Sequence, residues 1–495
     1  MTDSSDLSLN SVDTPAPWEV VFADAANGTP DAPTKAGLLA LARHGKDVWN
    51  AWRNAYPCRV HRAINGVVTT VGPKVDLRGQ VFQDNVNFAE FQFGDDVDFE
   101  GVHFRKTAIL AGAQFGDKAN FSFTRFEGRA VFVGAQFGDD VNFAGTKFAA
   151  QTIFVGAQFG QKARFWGAQF DSRAEFKGTQ FGDSAQFDGA LFKDWALFDG
   201  MDWASLGRIY GELLDDRRAW ANLRGLDPQA FGSIDFGGTK FLGNSDFSNR
   251  RFTGKTNFGL SGYLSALHFA HDDNGRVLME VLEEVSIPAP QPTFFEYPPA
   301  FHNSTLHQDT SFRDAIFPNK PHGNEMCARA YRTLKLAFAQ QHAVREEQRF
   351  FKLEMAEEAA LDTGAKRWLY RVYKEVADYG FSLIRPFAWG LGLTGLFAIV
   401  YGFLIWGAGK TAGFAILNKA PIDWQLTTQW AQFVLLNLLP LPGFDETLKE
   451  LRSALFGSSG VYPLLAIIAE AMHKICVFLA VFLIGLALRN LFKLK

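Results

Sequence analysis

Three ionisable residues in the last apolar segment are the strongest candidates for chemistry in this chain. Glu470, His473 and Lys474 interrupt the apolar stretch 461–488. On a helix, Glu470 and Lys474 lie one turn apart and can form an ion pair, and a histidine titrates near neutral pH. Ionisable side chains at membrane depth are costly and tend to face a bundle interior or an aqueous cavity. The alternative is a shorter span that leaves all three residues at the outer membrane interface.

A second, shorter apolar segment at 424–441 supplies polar side chains that could line a pore. They are Thr427, Thr428 and Asn437. Prolines at 440 and 442 break the segment, and proline ends or kinks a helix. We therefore expect this segment to dip into a bilayer and out again, to lie on its surface, or to pack as a half-helix.

The composition argues against an enzyme and against nucleic-acid binding. No glycine-rich phosphate loop follows a strand and opens a helix, and no nucleophile stands beside a base. The formal net charge of -4 is too small to attract or mimic a polyanion. The distant cysteines Cys58, Cys327 and Cys476 predict reduced thiols. We predict no catalytic residue, no cofactor, no metal site and no nucleic-acid partner.

The elements that must position the candidate residues begin with a ladder of phenylalanines. Between Phe82 and Phe198 a bulky apolar residue recurs at steps of six and five, and only Leu110 is not Phe. Neither a helix nor an ordinary strand has this period, whereas a chain that turns a corner at each step does. The predicted inward residues of the middle coils are Phe115, Phe121, Phe126, Phe132, Phe137, Phe143, Phe148, Phe154, Phe159, Phe165, Phe170 and Phe176.

The ladder predicts a solenoid with four faces in each coil. One coil then takes about 22 residues, and successive coils stack at about 4.8 Å. Gly, Asp and Asn recur at the predicted corners, because they tolerate positive φ or hydrogen-bond the local backbone. Stacked Phe rings fill the interior, so the coils need no cofactor to hold them together.

The ladder divides the first two-thirds of the chain. A polar opening stretch at 1–34 is predicted to be disordered, and a capping helix at 35–58 covers the open end of the solenoid. The solenoid runs and the two insertions between them are placed at 75–204 (first run), 205–230 (helical insertion), 231–270 (second run), 271–300 (loop insertion) and 301–318 (last turn).

The last third of the chain changes to helical periods. We predict a cytosolic helical hairpin at 322–380 with its turn at Gly364, and transmembrane helices at 386–408 and 461–492. The external loop 409–460 contains the short segment 424–441. Basic residues flank both spans, which by the positive-inside rule places the solenoid and the C-terminus in the cytoplasm. They are Lys366, Arg367, Arg371, Lys374, Arg385, Arg489, Lys493 and Lys495.

The ladder at 76–317 resembles the pentapeptide-repeat family, in the variant with Phe at the central position. At its cleanest the run reads FGDDVNFAGTKFAAQTIFVGAQF from 137 to 159, and 45–53 resembles the leader found upstream of such repeats. The resemblance implies a right-handed quadrilateral β-helix. The fold class is therefore predicted as mainly β, followed by an α-helical hairpin and a two-span α-helical membrane region.

The remainder of the chain is similar to bacterial pentapeptide-repeat membrane proteins whose C-terminal region is likened to a two-span potassium channel. Potassium channels use a TVGYG-type run whose carbonyl groups replace the ion's hydration shell. Here 436–444 reads LNLLPLPGF, with two prolines and no Gly-Tyr-Gly, so potassium selectivity is unsupported. The matching stretches are RTLK at 332–335, EEQRFF at 346–351, DYG at 378–380, RP at 385–386 and LALRN at 486–490.

Two functional hypotheses follow from this organisation. The first is a non-enzymatic, multi-pass inner-membrane protein that presents its cytosolic β-helix to an unknown protein partner, since solenoids offer long rigid faces. The second is a homo-oligomeric, channel-like protein with a degenerate pore segment, gated through the β-helix and the hairpin. Membrane lipid is a contact in both. Oligomeric state distinguishes the two, because the two spans of one subunit cannot enclose a pore.

Overall fold

The chain forms two compact units. The solenoid unit comprises Met1–His322 and Met326–Glu354, and the helical unit comprises Gly323–Glu325 and Met355–Lys495. All but residue 230 of the predicted helical insertion at 205–230 lies outside the described residues, as do 260–269 of the predicted second run. The computed structural model describes residues 16–62, 68–200, 230–259, 270–271, 277–278, 292–318, 320–410, 423–438 and 444–492.

A β-solenoid of about 7 turns forms most of the solenoid unit, which confirms the predicted fold class. Its strands run parallel, and each pairs with a strand one coil further along the chain. Gln114 is paired with Gln136, and Phe115 with Phe137, which is the predicted 22-residue register. The short strands end at corners that carry positive φ, such as 63° at Gly134 and 61° at Asp140.

Three faces of the solenoid carry regular strands. The five-stranded face, called the Gln face below, consists of Gln92–Gly94, Gln114–Phe115, Gln136–Phe137, Gln158–Phe159 and Gln180–Phe181. The eight-stranded face consists of Val81–Phe82, His103–Phe104, Arg125–Phe126, Lys147–Phe148, Gln169–Phe170, Leu191–Phe192, Lys240–Phe241 and Phe294–Phe295. The seven-stranded face consists of Val86–Asn87, Ala108–Ile109, Ala130–Val131, Thr152–Ile153, Ala174–Glu175, Ala196–Leu197 and Ser245–Asp246.

The fourth face is held by single bridges and then by three short strands. The bridges link Asp76, Asp98, Asn120, Asn142, Arg164 and Gln186 in turn. The three strands are Ala185–Gln186, Ile234–Asp235 and Thr256–Asn257. The remaining strand pairs are Ala230–Phe231 with Arg251–Phe252, Gly28–Thr29 with Ala32–Pro33, Arg59–Arg62 with Val68–Val71, and Ala270–His271 with Val277–Leu278.

The interior of the solenoid is a column of stacked aromatic rings. All twelve of the predicted inward residues from Phe115 to Phe176 are buried. The ring of Phe143 stacks on that of Phe121 with a centroid distance of 4.7 Å and on that of Phe165 at 4.9 Å. Threonine replaces the small inward residue in some coils, and its hydroxyl donates to a carbonyl of the preceding coil. Thr146 Oγ1 donates in this way to the oxygen of Phe121 at 2.7 Å.

A buried arginine marks the joint between the first and second solenoid runs. Here Phe231 meets Phe181 edge-on, with ring centroids 5.6 Å apart, so the stack of rings behind the Gln face is interrupted. Arg250 is 1% exposed, and its guanidinium lies 4.4 Å from the centre of the Phe231 ring. Its nitrogens donate to the carbonyl oxygens of Phe176, Thr179 and Phe198 at 2.5–3.0 Å. The guanidinium therefore provides hydrogen-bond donors for carbonyl groups deep in the interior.

The predicted loop insertion at 271–300 returns to the solenoid before its end. Phe294–Phe295 is a strand of the eight-stranded face, and the Phe295 ring stacks between those of Phe241 and Phe317 at 5.1 and 5.3 Å. The assignment of all of 271–300 to a loop was therefore wrong at its C-terminal end. The unpaired edge of the preceding strand and the open apolar column both favour re-entry of the chain at this point.

Residues 16–34 are ordered where the sequence predicts disorder. They form helix α1 (Glu19–Phe22), a 3₁₀ turn at Ala25–Asn27 and the first strand pair. Val21 is buried, and Asn27 donates its side-chain amide to the Val21 oxygen at 2.7 Å. Apolar side chains in this polar stretch thus extend the core at its N-terminal end.

Two helices, rather than the single helix predicted at 35–58, cover the first coil. They are α2 (Lys35–Arg43) and α3 (Lys46–Ala55), separated by Gly45, whose φ of 86° a helix cannot contain. Trp49 of α3 packs on the rings of Phe91 and Phe93, each at 5.4 Å, and donates to the Gln92 oxygen at 2.8 Å. The helix therefore covers the first strand of the Gln face.

Helices α4 (Glu325–Gln340) and α5 (Val344–Leu361) form the hairpin that follows the solenoid. Its turn lies between these helices and not at Gly364, as the sequence had suggested. Phe338 and Phe350 pack edge-on against the ring of Phe312 at 5.9 and 5.5 Å. The hairpin thus covers the last ring of the column, a role that its charged sequence did not reveal.

The helical unit continues with five helices in its described part. They are α6 (Ala365–Ala377), α7 (Ile384–Gly407), α8 (Trp424–Leu438), α9 (Asp445–Phe456) and α10 (Val461–Phe492). Helices α7 and α10 are long and apolar enough to cross a membrane. Helix α9 was not predicted. Its sequence alternates charged and apolar residues, and it buries Leu448, Leu451 and Leu455.

Helices α7 and α10 pack closely along one side. A Cβ on Gly390 would lie 3.2 Å from that of Ala480, so a glycine permits this approach of the two helices. Their opposite sides are lined by exposed apolar residues, such as Phe403 on α7 and Phe478 on α10. Polar side chains, in contrast, are directed towards the interior of the unit.

Candidate functional site

A groove of about 810 Å³ runs along the Gln face of the solenoid. One glutamine from each strand lies along it, in register from coil to coil. These half-buried residues are Gln92, Gln114, Gln136, Gln158 and Gln180. At a coil spacing of about 4.8 Å the five amides extend over about 19 Å.

Glycines directly after the Phe residues allow the coils to stack closely along the groove. A Cβ on Gly138 would lie 2.6 Å from the backbone nitrogen of Asp117, so a larger residue does not fit between the coils. The neighbouring aspartates tie the coils together at this corner. The Asp117 nitrogen donates to Asp95 Oδ1 at 3.0 Å, and the Asp139 nitrogen to Asp117 Oδ1 at 2.8 Å. The groove is therefore rigid along its length.

Arg53 and Cys58 lie at the N-terminal end of the groove. Arg53 donates to the carbonyl oxygens of Tyr56 and Pro73 at 3.1 and 2.9 Å. Burial lowers the pKa of Arg53 to about 10, so the guanidinium stays charged at neutral pH. Burial also raises the pKa of the Cys58 thiol, which keeps it protonated and a poor nucleophile.

Beyond the charged residues and Cys58 at its N-terminal end, the groove presents the side-chain amides, backbone groups and glycines of successive coils. A primary amide donates and accepts hydrogen bonds at once and carries no charge. The side-chain nitrogen of Gln158 is buried and has no hydrogen-bond partner within the described part of the chain, whereas the glutamine side chains as a whole are half-buried. Such a surface is suited to hydrogen bonding with an elongated polar ligand.

A second candidate site lies inside the helical unit and is called the polar cluster below. Its members are Thr394 and Tyr401 of α7, Arg452 of α9, and Glu470, His473 and Lys474 of α10. The helices carry these residues on their inward sides, and His473 is fully buried.

Histidine is the centre of one half of the polar cluster. His473 Nε2 lies 3.1 Å from Thr394 Oγ1, and Nδ1 lies 3.4 Å from the Tyr401 hydroxyl. The imidazole also stacks on the ring of Phe397 with centroids 4.8 Å apart. Both ring nitrogens thus face hydroxyl groups, which can donate or accept according to the tautomer.

Glu470 is the centre of the other half. Its carboxylate accepts from Arg452 Nη1 and from Lys474 Nζ, both at 2.9 Å. The pair with Lys474 is the one-turn ion pair that the sequence spacing predicts. Arg452 adds a second cation, which offsets the cost of burying the carboxylate.

The residues predicted for the short segment donate to backbone carbonyl groups four residues earlier in the chain. Thr427 and Thr428 donate to the carbonyl oxygens of Asp423 and Trp424, at 2.8 and 2.7 Å. Asn437 is fully buried, and its amide nitrogen donates to the Phe433 oxygen at 2.9 Å. Its Oδ1 atom has no partner among the described residues.

Sequence reasoning missed three members of the polar cluster. Thr394 and Tyr401 lie in an otherwise apolar segment. Their polarity could have indicated that they face the interior of the helical unit. Arg452 lies in the unpredicted helix α9, so its pairing with Glu470 could not be expected. The predicted trio on α10 forms only half of the arrangement.

One comparison with known proteins bears on the solenoid. A family model described as pentapeptide repeats (9 copies) matches residues 110–156 and 154–202. This part of the chain is therefore similar to pentapeptide-repeat proteins, in agreement with the resemblance of the Phe ladder. No curated protein and no solved structure matches the chain.

Proposed function

We propose that the chain is a non-enzymatic inner-membrane protein that holds its solenoid in the cytoplasm as a binding platform for a protein partner. The observation that carries the proposal is the Gln-face groove. Partner binding there needs no moving part, because the coils beneath it are locked by the ring column and by the aspartates at the corner. A rigid surface loses little conformational entropy on binding.

The placement in a membrane is supported by the exposure of apolar side chains on the two long helices. Phe478 is 67% exposed, and the neighbouring Ile475, Leu479 and Phe482 are exposed too. In water such a surface would exceed what soluble proteins leave uncovered. The basic flanks of both helices favour a cytoplasmic location for the solenoid and the C-terminus.

The partner that fits the groove is a protein with an extended, polar contact segment. About six residues of extended chain span 19 Å. Neutral amides favour hydrogen bonds to peptide groups over ion pairs. We therefore expect modest dependence of binding on salt, in contrast to binding of a polyanion.

A pair of matched substitutions tests this proposal. Gln158→Arg puts a charge and extra bulk into the groove, whereas Gln169→Arg makes the same change on the eight-stranded face. Full-length protein carrying either change is cross-linked in its native membranes, and the recovered partner is quantified. We expect Gln158→Arg to reduce recovery at least tenfold and Gln169→Arg to leave it unchanged. Equal recovery with both variants would exclude the groove as the binding surface.

The alternative, an oligomeric ion channel, is favoured by one observation. Asn437 is buried on the short helix α8, where a pore lining would be expected, and its Oδ1 has no partner among the residues that the structure describes. A channel requires several subunits, so a monomer in mild detergent would exclude it. Flux through liposomes that is the same for the native protein and Asn437→Leu would exclude this residue as part of a pore.

A further inference from the structure

Helix α6 presents three chemically different sides. Tyr370, Tyr373 and Ala377 turn towards the protein, and Tyr370 donates its hydroxyl to Glu358 at 3.3 Å. A second side exposes two large apolar residues, Trp368 at 63% and Leu369 at 59%. The third side carries exposed cations one turn apart, namely Arg367, Arg371 and Lys374.

The cations on α6 are free to bind an external anion. Arg367, Arg371 and Lys374 form no ion pair within the described part of the chain. The one acidic residue within the helix, Glu375, is exposed and lies at the edge of the cationic side. A single carboxylate does not neutralise three cations, so this side of α6 keeps a net positive charge.

The C-terminal end of α6 is held beside the start of α7 and the end of α10. Three consecutive residues of positive φ, Asp378–Gly380, end α6 and redirect the chain towards α7. Arg385 at the start of α7 donates to the Lys374 oxygen at 3.2 Å. Asn490 near the end of α10 donates to the Gly380 oxygen at 3.0 Å. The end of α6 therefore lies at the level of the membrane interface if α7 and α10 span.

The dimensions and side-chain types of α6 match those of an interfacial helix. Its 13 residues extend over about 20 Å. An interfacial helix buries Trp and Leu at the boundary of headgroups and acyl chains and keeps Lys and Arg at the level of the lipid phosphates. Exposed Arg385 and Arg489 at the ends of the two spans add to the positive charge of this region.

We propose that α6 lies in the membrane interface and binds the phosphate groups of anionic phospholipids through Arg367, Arg371 and Lys374. Trp368 and Leu369 enter the lipid beside these headgroups. The proposal rests on the membrane placement in the proposed function but not on the partner of the solenoid. Its consequence is that the protein selects anionic over zwitterionic lipid.

Lipid retention by the full-length protein tests this site. Protein is reconstituted with a mixture of phosphatidylcholine and phosphatidylglycerol, extracted in mild detergent, and the retained lipids are quantified. We expect enrichment of phosphatidylglycerol with the native protein. In the triple variant Arg367→Gln, Arg371→Gln, Lys374→Gln the enrichment of phosphatidylglycerol should fall at least tenfold. Each cation at an anionic surface raises the affinity for anionic lipid about fivefold. Leu369→Glu should also lower retention, by repelling the headgroups from the apolar side.

A matched triple variant separates site binding from loss of net charge. Lys106→Gln, Arg313→Gln, Lys449→Gln removes three exposed cations elsewhere and should leave the enrichment unchanged. Equal loss with both triple variants would overturn the proposal. So would displacement of phosphatidylglycerol by inorganic phosphate, since the site would then bind free anions. Failure of the protein to insert at all would refute the membrane placement itself, whereas insertion without lipid preference would refute only the role of α6.

Discussion

The two units of this protein differ in the side chains that they expose and bury. In the solenoid unit, Phe121 and Phe143 are fully buried, and buried charges such as Arg250 are bonded to backbone carbonyl groups. In the helical unit, Phe478 is largely exposed, while His473 and Asn437 are fully buried. The hydrophobic effect gives the first arrangement in water, and a bilayer makes the second tolerable. The exposed apolar side chains of the helical unit are what the proposed membrane placement requires.

The two units also satisfy their buried polar groups in different ways. In the solenoid the partners are backbone carbonyl groups, as for Thr146 and Arg250. In the helical unit, Glu470 and His473 instead have side chains of other helices as partners, namely Arg452 for Glu470, and Thr394 and Tyr401 for His473. We expect the stability of the solenoid to depend on ring stacking and that of the helical unit on individual polar pairs.

Removal of one ring from the column should give the largest loss of stability. Phe148 is fully buried and stacks between Phe126 and Phe170 at 5.0 and 4.8 Å. Phe148→Ala should lower the free energy of unfolding by about 3–5 kcal/mol, and Gln158→Ala on the outer surface by less than about 1 kcal/mol. Loss of the β signal in circular dichroism of the full-length protein on heating measures both. Equal shifts would contradict the division between inside and outside.

Substitution of Arg250 tests whether the joint between the runs depends on polar pairing. Arg250→Met keeps much of the side-chain volume but leaves three buried carbonyl oxygens without this donor. We expect a loss of about 2–4 kcal/mol in the same unfolding measurement. If the variant were as stable as the native protein, the Arg250 side chain would contribute by packing alone. The claim that the joint depends on hydrogen bonds, unlike the ring column, would then be wrong.

The ion pair in the helical unit should have a smaller effect, because one partner is partly exposed. Arg452 retains 23% side-chain exposure, while Glu470 retains 7%. A double-mutant cycle with Glu470→Gln and Arg452→Gln should give a coupling energy of about 1–2 kcal/mol. Unfolding in mixed detergent micelles provides the four stabilities. A coupling energy near zero would show that the helical unit does not depend on this pair.

The smallest expected effect is a pH dependence of the solenoid unit from His302. Burial, and then the charge of Arg329, lower the pKa of His302, whose Nδ1 lies 3.2 Å from Thr333 Oγ1. The unfolded chain then binds more protons than the folded one just below the unfolded pKa of about 6.5. Stability is thus complete above that pKa and declines as the pH falls through the lowered one. In His302→Gln this part of the decline in stability should disappear. An unchanged dependence of stability on pH would contradict the assignment to His302.

The periodic part of the fold could be predicted from the sequence, because its signal repeats in every coil. Phe143 and Phe165 are recognisable as neighbours from the 22-residue period alone. The end of the second insertion could not be predicted, because Phe294 and Phe295 follow a non-repeating segment and their register is set by the open column. The packing of α4 and α5 over the end of the ring column could not be predicted either. It depends on contacts such as that of Phe338 with Phe312, which the spacing of residues in the sequence does not reveal.

The candidate sites were less predictable than the fold. Glu470 and Lys474 are paired by helical spacing, which is local. The pairing of Glu470 with Arg452, and of His473 with Thr394, depends on how three helices pack. This packing brings together residues that are distant in the sequence. The Gln groove was not anticipated, although glutamine at 92, 114, 136, 158 and 180 follows the same 22-residue period as the rings.

The central claim, that the units face different solvents, is tested most directly by the reactivity of single cysteines. In a background with Cys58, Cys327 and Cys476 replaced by serine, Phe478→Cys and Gln169→Cys are compared in opened membrane fragments. A water-soluble maleimide should label the cysteine at 169 rapidly and leave that at 478 unlabelled, although both positions are exposed in the protein itself. Equally rapid labelling at both positions would show that α10 faces water and would contradict the account.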